Sequence, residues 1–409
     1  MESKSLLKLN GTQTAWMVGL GVVGFWLISG FGFYQFFTSR YPGANDFYAR
    51  WRPTRAWLFE GRSPYADSVT LDTQLGMYGR PAKPEEDKGL FSYPMFSMIF
   101  FAPFGFFESY ALASGYWLAV LFISLIGLAL LSFVWSGWRP GLILFAVTLL
   151  FSIVWYHSVR TLLLGQFAAL EAVLVVAALL AVQQRKDGVA GVLLALATTK
   201  IQMAFLIIPG LVLWALNLRR WRLVVGFGLA MLGLLVMSFV FLPTWPFEWQ
   251  AQLSKYVDNT FIGSPVSIIL LAVWPGAGRW VELLISGLLG GYLLWEWWQA
   301  RGHTGRRFLW AGALTLVITN IVALRTATTN YVMMLPALFL FLRWVQERWS
   351  RTGGWLVIGI EAGLFVGIWA AFLLTLEGNV EQPLPYLPLP LFLLVGLWVM
   401  RNDWLKPEA

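Results

Sequence analysis

The side chains able to do chemistry in this sequence are restricted in type. There is no Cys, and His157 and His303 are the only imidazoles. That removes disulfides, thiolate nucleophiles and thiolate metal sites, and it leaves too few histidines for a zinc centre. Carboxylates, amines, guanidinium groups and hydroxyls have to carry any reaction. The most suggestive stretch is NDFYARWRPTRAWLFEGRSPY, residues 45–65. Asp46 has two readings there. It is a favoured N-cap type and precedes Phe47, Trp51, Trp57 and Leu58 at helical spacing. It is also a carboxylate among arginines and aromatic rings at the edge of an apolar run, as a general base for a lipid-borne hydroxyl would be. Glu60 and Asp67 are the next carboxylates in line.

A second set is basic. Arg160, Lys200, Lys255, Arg279 and Arg325 fall at ends of apolar runs, on the side opposite most other basic residues. Long cationic side chains in such places commonly snorkel to lipid headgroups. Lys200 fits that less well, because TTKIQ joins two apolar stretches with almost no loop and directs the cation into a cavity. A cluster of such cations suits a phosphate or diphosphate lipid head. Glu171, inside an apolar run, needs a partner, and a structural salt bridge with Arg160 or Lys200 is expected. Asp67 and Asp72 are the carboxylates able to offer oxygen ligands to Mg²⁺ or Mn²⁺.

Positioning these groups falls to apolar helices. Of 409 residues, 58% are apolar and 12% charged, with mean hydropathy +0.67. Soluble domains carry about 25% charged residues, and here the charges gather between apolar runs about as long as a bilayer is thick. The sequence predicts an all-α polytopic membrane protein, residues 1–409 forming a single integral membrane domain. Ala15–Phe37 reads as a retained first span, followed by spans near 110–135, 141–157, 164–184, 188–200, 201–218, 223–242, 280–298, 308–324, 331–345, 354–376 and 388–400. Several are shorter than about 20 residues, as helices can be where a wet cavity enters the membrane. If these alternate, Arg185/Lys186, Arg219/Arg220/Arg222, Arg301/Arg306/Arg307, Arg343/Arg348/Arg351 and Arg401/Lys406 share the side of Lys4 and Lys8. About twelve transmembrane helices with both termini inside is the result.

Residues 38–92 then form a large first outer loop of 55 residues, and 243–266 a second, amphipathic one. Two apolar pieces, 93–107 and 267–274, break the alternation and are expected as re-entrant or interfacial segments on the outer side, the alternative for the first being a true crossing paired with a misread neighbour. The net charge of +8 records loop orientation rather than nucleic-acid binding. Gly19, Gly21 and Gly24 spell GxGxxG, but no strand precedes them, so a dinucleotide site is not expected.

The run LLLGQFAALEAVLVVAALLAVQQRKDGVAGVLLALATTKIQMAFLIIPGLVL, residues 162–213, resembles glycosyltransferase family 87 in Gly165-Gln166, a basic turn, Gly188 and Gly191, then Lys200. Upstream, Asp46, Gly61, Pro64-Tyr65 and Tyr93-Pro94 are similar to the family's order, and the resemblance covers most of residues 15–345. It implies the GT-C fold, a polyprenyl-phosphate-mannose-dependent mannosyltransferase, and Asp46 as the catalytic base. Two features depart from the pattern. Asn330-Tyr331 in RTATTNY stands where the family tends to carry His-Tyr, which takes the imidazole from that place. Pro53 interrupts the stretch after Asp46 and is expected to break its helix in two.

The resulting expectation is a membrane glycosyltransferase that moves a sugar, mannose by the resemblance, from a polyprenyl-phosphate donor to a hydroxyl of a lipid or glycolipid acceptor, with inversion. Asp46 would remove the acceptor proton. Lys200, Arg160 and Arg325 would hold the leaving phosphate, and Gln166, Tyr93, Asn330 and Tyr331 would line the sugar or acceptor pocket. With cations serving the phosphate, no metal or other cofactor is expected. The site would lie on the outer face of the plasma membrane. A secondary transporter or lipid flippase is the alternative. Many spans and the intramembrane Glu171 and Glu361 support it, while the long first loop and the lack of duplicated halves oppose it.

Overall fold

The computed structural model describes residues 11–406 apart from 85, 260–263, 277, 324–325 and 377–381. Among the described residues every regular element is a helix. Helix α1 (Gly11–Phe33) runs into a π turn (Tyr34–Thr38) and is followed by α2 (Asn45–Glu60) and α3 (Asp67–Tyr78), the two helices of the long first connection. A 3-10 turn (Met95–Ser97) opens α4 (Met98–Gly105). Then come α5 (Tyr110–Ser136), α6 (Leu142–Val154), α7 (Tyr156–Leu164), α8 (Ala168–Gln183) and α9 (Asp187–Leu196). The path breaks there: a 3-10 turn (Ala197–Lys200) and the single-turn α10 (Ile201–Ala204) precede α11 (Ile207–Asn217) and α12 (Trp221–Phe241). Next are α13 (Trp245–Asn259), α14 (Pro265–Val273), α15 (Gly278–Ala300) and α16 (Arg306–Val322). A 3-10 segment (Thr328–Met334) leads into α17 (Leu335–Arg348), α18 (Gly353–Leu374) and, after the turn Leu384–Tyr386, α19 (Pro388–Trp404).

This is an integral, multi-pass membrane protein. Among the described residues six helices are long and apolar enough to cross a membrane, or seven if α6 and α7, bent by 43°, form one broken span. Twelve crossings would need shorter helices such as α8, α9 and α11, of 16, 10 and 11 residues, to cross as well. The pieces expected to be re-entrant or interfacial are α4 and α14, helices of 8 and 9 residues, and α4 packs against α2 and α5. Helix α1 exposes Trp16, Leu20, Ile28 and Phe31, as a helix bathed in hydrocarbon does. Helices α16 and α17 are buried nearly all round and form the centre of the bundle.

The basic connections gather at one end. Arg343 Nη1 donates to Ser136 O at 2.6 Å, Arg401 pairs with Glu296 at 2.6 Å, Arg220 pairs with Asp187, and Trp404 Nε1 donates to Arg306 O at 3.1 Å. Helix α8 starts beside Gln166 and ends before Arg185, so its 16 residues put about 24 Å between Gln166 and this basic end.

Two local features set the opposite end. Helix α2 is continuous through Pro53, contrary to the expected break. A proline leaves the carbonyl four residues earlier without its donor. Here that carbonyl is Ala49 O, and Arg50 Nη1 lies 3.2 Å from it, so a guanidinium replaces the missing backbone bond. On the other side of the site, α9 lies hard against α12. A Cβ at Gly191 would run into Leu223 O and Phe227 N, so only glycine permits the approach that sets the height of Lys200.

The long first connection is fastened by charge and by α13. Arg52 and Arg62 both bridge Glu60 and Asp72, Lys255 pairs with Asp67, and Trp249 Nε1 donates to Ser92 O at 2.9 Å. Gln252 Nε2 donates to Tyr65 O at 3.2 Å, and Tyr65 Oη donates to Tyr93 O at 2.8 Å. The Pro-Tyr and Tyr-Pro pairs read from the sequence therefore meet.

Candidate active site

Asp46 is not a cap. The N-cap of α2 is Ala44, held at φ 49°, and Asp46 lies in the first helical turn with no capping bond. A left-handed alanine is costly, and its surroundings explain why it persists. Ala44 N donates to Leu163 O at 3.2 Å, and Ala44 O accepts from Tyr110 Oη at 2.7 Å. Ala44 is pressed against Gly165, which ends α7 at φ 68° and offers its carbonyl to Trp117 Nε1 at 2.8 Å. A Cβ on Gly165 would meet Ala44 Cβ at 2.6 Å. The start of α2 and the end of α7 thus abut at a point that needs glycine twice over, for its φ and for its lack of a side chain. The next residue, Gln166, is brought against Asp46.

From there a chain of polar side chains crosses the site. Gln166 Nε2 donates to Asp46 Oδ2, and Gln166 Oε1 accepts from Lys200 Nζ at 3.0 Å. Lys200 Nζ also donates to Asn330 Oδ1 at 2.7 Å, and Asn330 Nδ2 donates to Thr326 Oγ1 at 2.9 Å. An ammonium can only donate, so both amides are fixed in orientation. It has three protons, and these two bonds take two of them. Lys200 is buried, with 3% of its surface exposed, and Asp46 is half-buried. Loss of hydration pushes the Asp46 carboxyl up to about 6, and Asp87 adds to the rise. Arg50, the Gln166 hydrogen bond and Lys200 pull against it.

The structure adds Arg50 to the site. It follows Asp46 by one helical turn, lies 4.8 Å over the Tyr93 ring, donates to Leu90 O at 3.2 Å, and acts electrostatically on both Asp46 and Lys200. The i, i+4 spacing from Asp46 was the signal available in the sequence. Tyr93 is buried and also meets the Phe167 ring, next to Gln166. Tyr331 is buried behind Asn330, its hydroxyl donating to Tyr386 O at 3.1 Å.

The other expected partners, where described, make separate contacts. Arg160 stands over the rings of Phe372 and Tyr156 at 5.2 and 6.0 Å, and Arg325 lies outside the described residues. Arg279 is exposed. Glu171 makes no salt bridge: it is fully buried with neither carboxyl oxygen hydrogen-bonded among the described residues. Lys200 donates to Gln166 and Asn330 instead. Asp67 and Asp72 are occupied by Lys255 and by Arg52 and Arg62, and among the described residues no three metal-ligating side chains cluster. Glu60, held by the same two arginines, is equally engaged. Lys255, expected to snorkel, is the partner of Asp67.

The family model of glycosyltransferase family 87 matches residues 91–319, more than half of the chain. The chain belongs to glycosyltransferase family 87. No curated protein and no solved structure matches it. The matched family 87 region holds Tyr93, His157, Gln166, Glu171 and Lys200, while Asp46 and Asn330 lie outside it. The hydrogen bonds above join those two flanking residues to the family 87 core.

Proposed function

We propose that this membrane glycosyltransferase transfers mannose from a polyprenyl phosphate to a hydroxyl of a lipid or glycolipid acceptor in one inverting displacement. The chain Asp46–Gln166–Lys200–Asn330 is the observation that carries the reading, because it holds a carboxylate and a cation at opposite ends of one amide. Asp46, with Oδ2 engaged by Gln166, takes the acceptor proton on Oδ1 as the hydroxyl oxygen bonds to the anomeric carbon. The bond from that carbon to the donor phosphate breaks at the same time. A carboxyl held near 6 is a stronger base than an ordinary aspartate while still ionised near neutrality. The remaining proton of Lys200, with Arg50, meets the charge growing on the leaving phosphate. Arg160 and Arg325 are further candidates for the donor phosphate, and Tyr93, Asn330 and Tyr331 for the sugar pocket.

In this reading the chain crosses the membrane about twelve times, with the basic end cytoplasmic and the site on the outer face of the plasma membrane. The test is incubation of purified protein with radiolabelled polyprenyl-phosphate mannose and a total lipid extract. A labelled lipid product is expected, undiminished by a chelator. Lys200→Gln should raise the donor KM more than the acceptor KM, with Lys255→Gln as control. No labelled lipid, or equal donor effects in the two variants, would reject the proposal.

A further inference from the structure

We infer that His157 is a positioning residue that holds the backbone before Asn330 so that its side chain reaches Lys200, an inference that rests on the transfer site proposed above. His157 is fully buried on α7, with its Nδ1 at 2.8 Å from Thr328 O. A carbonyl only accepts, so Nδ1 carries the proton. Nε2 is buried without a hydrogen-bond partner among the described residues. The ring stands among those of Trp155, Tyr156 and Tyr331, with centroids 4.9, 5.1 and 5.2 Å away. One turn further along the same face of α7, Thr161 Oγ1 lies 3.0 Å from Thr329 O and 2.6 Å from His157 O.

One helix face therefore holds Thr328 O through His157 and approaches the next carbonyl, Thr329 O, through a Thr161 hydroxyl whose single proton is shared with His157 O. The next residue is Asn330, whose amide reaches Lys200 at 2.7 Å. Helix α7 also ends in Gly165-Gln166, the source of the other amide on Lys200. One nine-residue helix thus sets both partners of the ammonium, one through its C-terminus and one through His157 and Thr161. An apolar residue at 157 would leave a buried carbonyl without this donor and the segment free to shift.

Full-length protein in detergent is the material for the test. His157→Leu should raise the KM for polyprenyl-phosphate mannose on the order of tenfold with a smaller change in kcat. His157→Asn, whose amide nitrogen can replace Nδ1, should return to within about threefold of the parent. In an Asn330→Ala background His157→Leu should change KM by less than about twofold, because the coupling partner is already gone. Full multiplication of the two losses, or an unchanged KM in His157→Leu, would overturn the inference. If His157→Leu does not fold, Thr161→Val serves instead, with about a threefold rise in KM expected and no rise counting against the inference. A readout independent of transfer is ¹⁵N-histidine labelling, which reports only His157 and His303. His157 should show a protonated Nδ1 and a bare Nε2, and the opposite tautomer overturns the inference. That spectrum in a protein that transfers no sugar would reject the proposed function while supporting the hold of His157 on Thr328.

Discussion

Asp46 and Lys200 share a single amide: Gln166 donates to the carboxylate and accepts from the ammonium at 3.0 Å. Because the ammonium cannot accept, the amide cannot turn over without losing its bond to Lys200. A change at either end is therefore felt at the other.

Asp46→Asn tests the base directly. Asp46 makes no capping bond, so the substitution should leave the melting temperature near that of the parent at neutral pH or above it. Loss of a general base is worth about 10²- to 10⁴-fold in rate. Turnover reduced by less than about tenfold would move the base elsewhere.

The acid limb of the pH profile should belong to Asp46. Burial holds its carboxyl at about 6, above the ordinary 3.8. The working form is unprotonated, so kcat/KM should rise about tenfold per pH unit below that value and level off above it. Stability follows the opposite sign. The raised value favours the protonated form in the folded state, so its stabilisation is complete below 3.8 and lost as pH rises through about 6. Asp46→Asn cannot ionise, and its melting temperature should gain on the parent's between about pH 4 and about pH 7.

Gln166→Glu places a second carboxylate beside Asp46. Like charges raise a carboxyl's pKa, so the acid limb should move upward by about one unit or more. An unmoved limb in the pH–rate profile would mean that Gln166 does not touch Asp46 in the working enzyme.

Gly165→Ala should cost about 1–2 kcal/mol for its left-handed backbone alone, with crowding of Ala44 in addition. It should also lower turnover by shifting the start of α2. Gly188→Ala is the control, since a Cβ there meets nothing within 4 Å, and it should melt at or slightly above the parent. Thermal unfolding in detergent reads both. Equal effects would show that the contact between α7 and α2 is dispensable.

The chain has no native Cys, so Ser68→Cys and Ser350→Cys, both at exposed positions, can be labelled singly with an impermeant maleimide. Ser68→Cys should react from the outer face and Ser350→Cys only after permeabilisation. Reaction of both from one side would overturn the proposed orientation.

Apolar run length and the sparse, clustered charges were enough to establish a helical membrane protein, because both are properties of the chain taken locally. Asp46 and Lys200 could be marked for the same reason, each a charged group at or within apolar sequence, whereas Gln166 and Asn330 stood out through the resemblance to glycosyltransferase family 87. Their partnerships were not local. The bonds from Gln166 to Asp46 and from Lys200 to Asn330 span 120 and 130 residues of chain, and they depend on helix ends meeting. Ala44 must press on Gly165, and α9 must close on α12 at Gly191. The same dependence made Asp46 a first-turn residue rather than a cap, and it kept α2 whole because Arg50 supplied the bond that Pro53 could not. It left Glu171 without its expected salt bridge, and it turned a buried His157 toward Thr328 O. Residue types and spacing determined which groups needed partners, and packing of remote helix ends decided which partners they found.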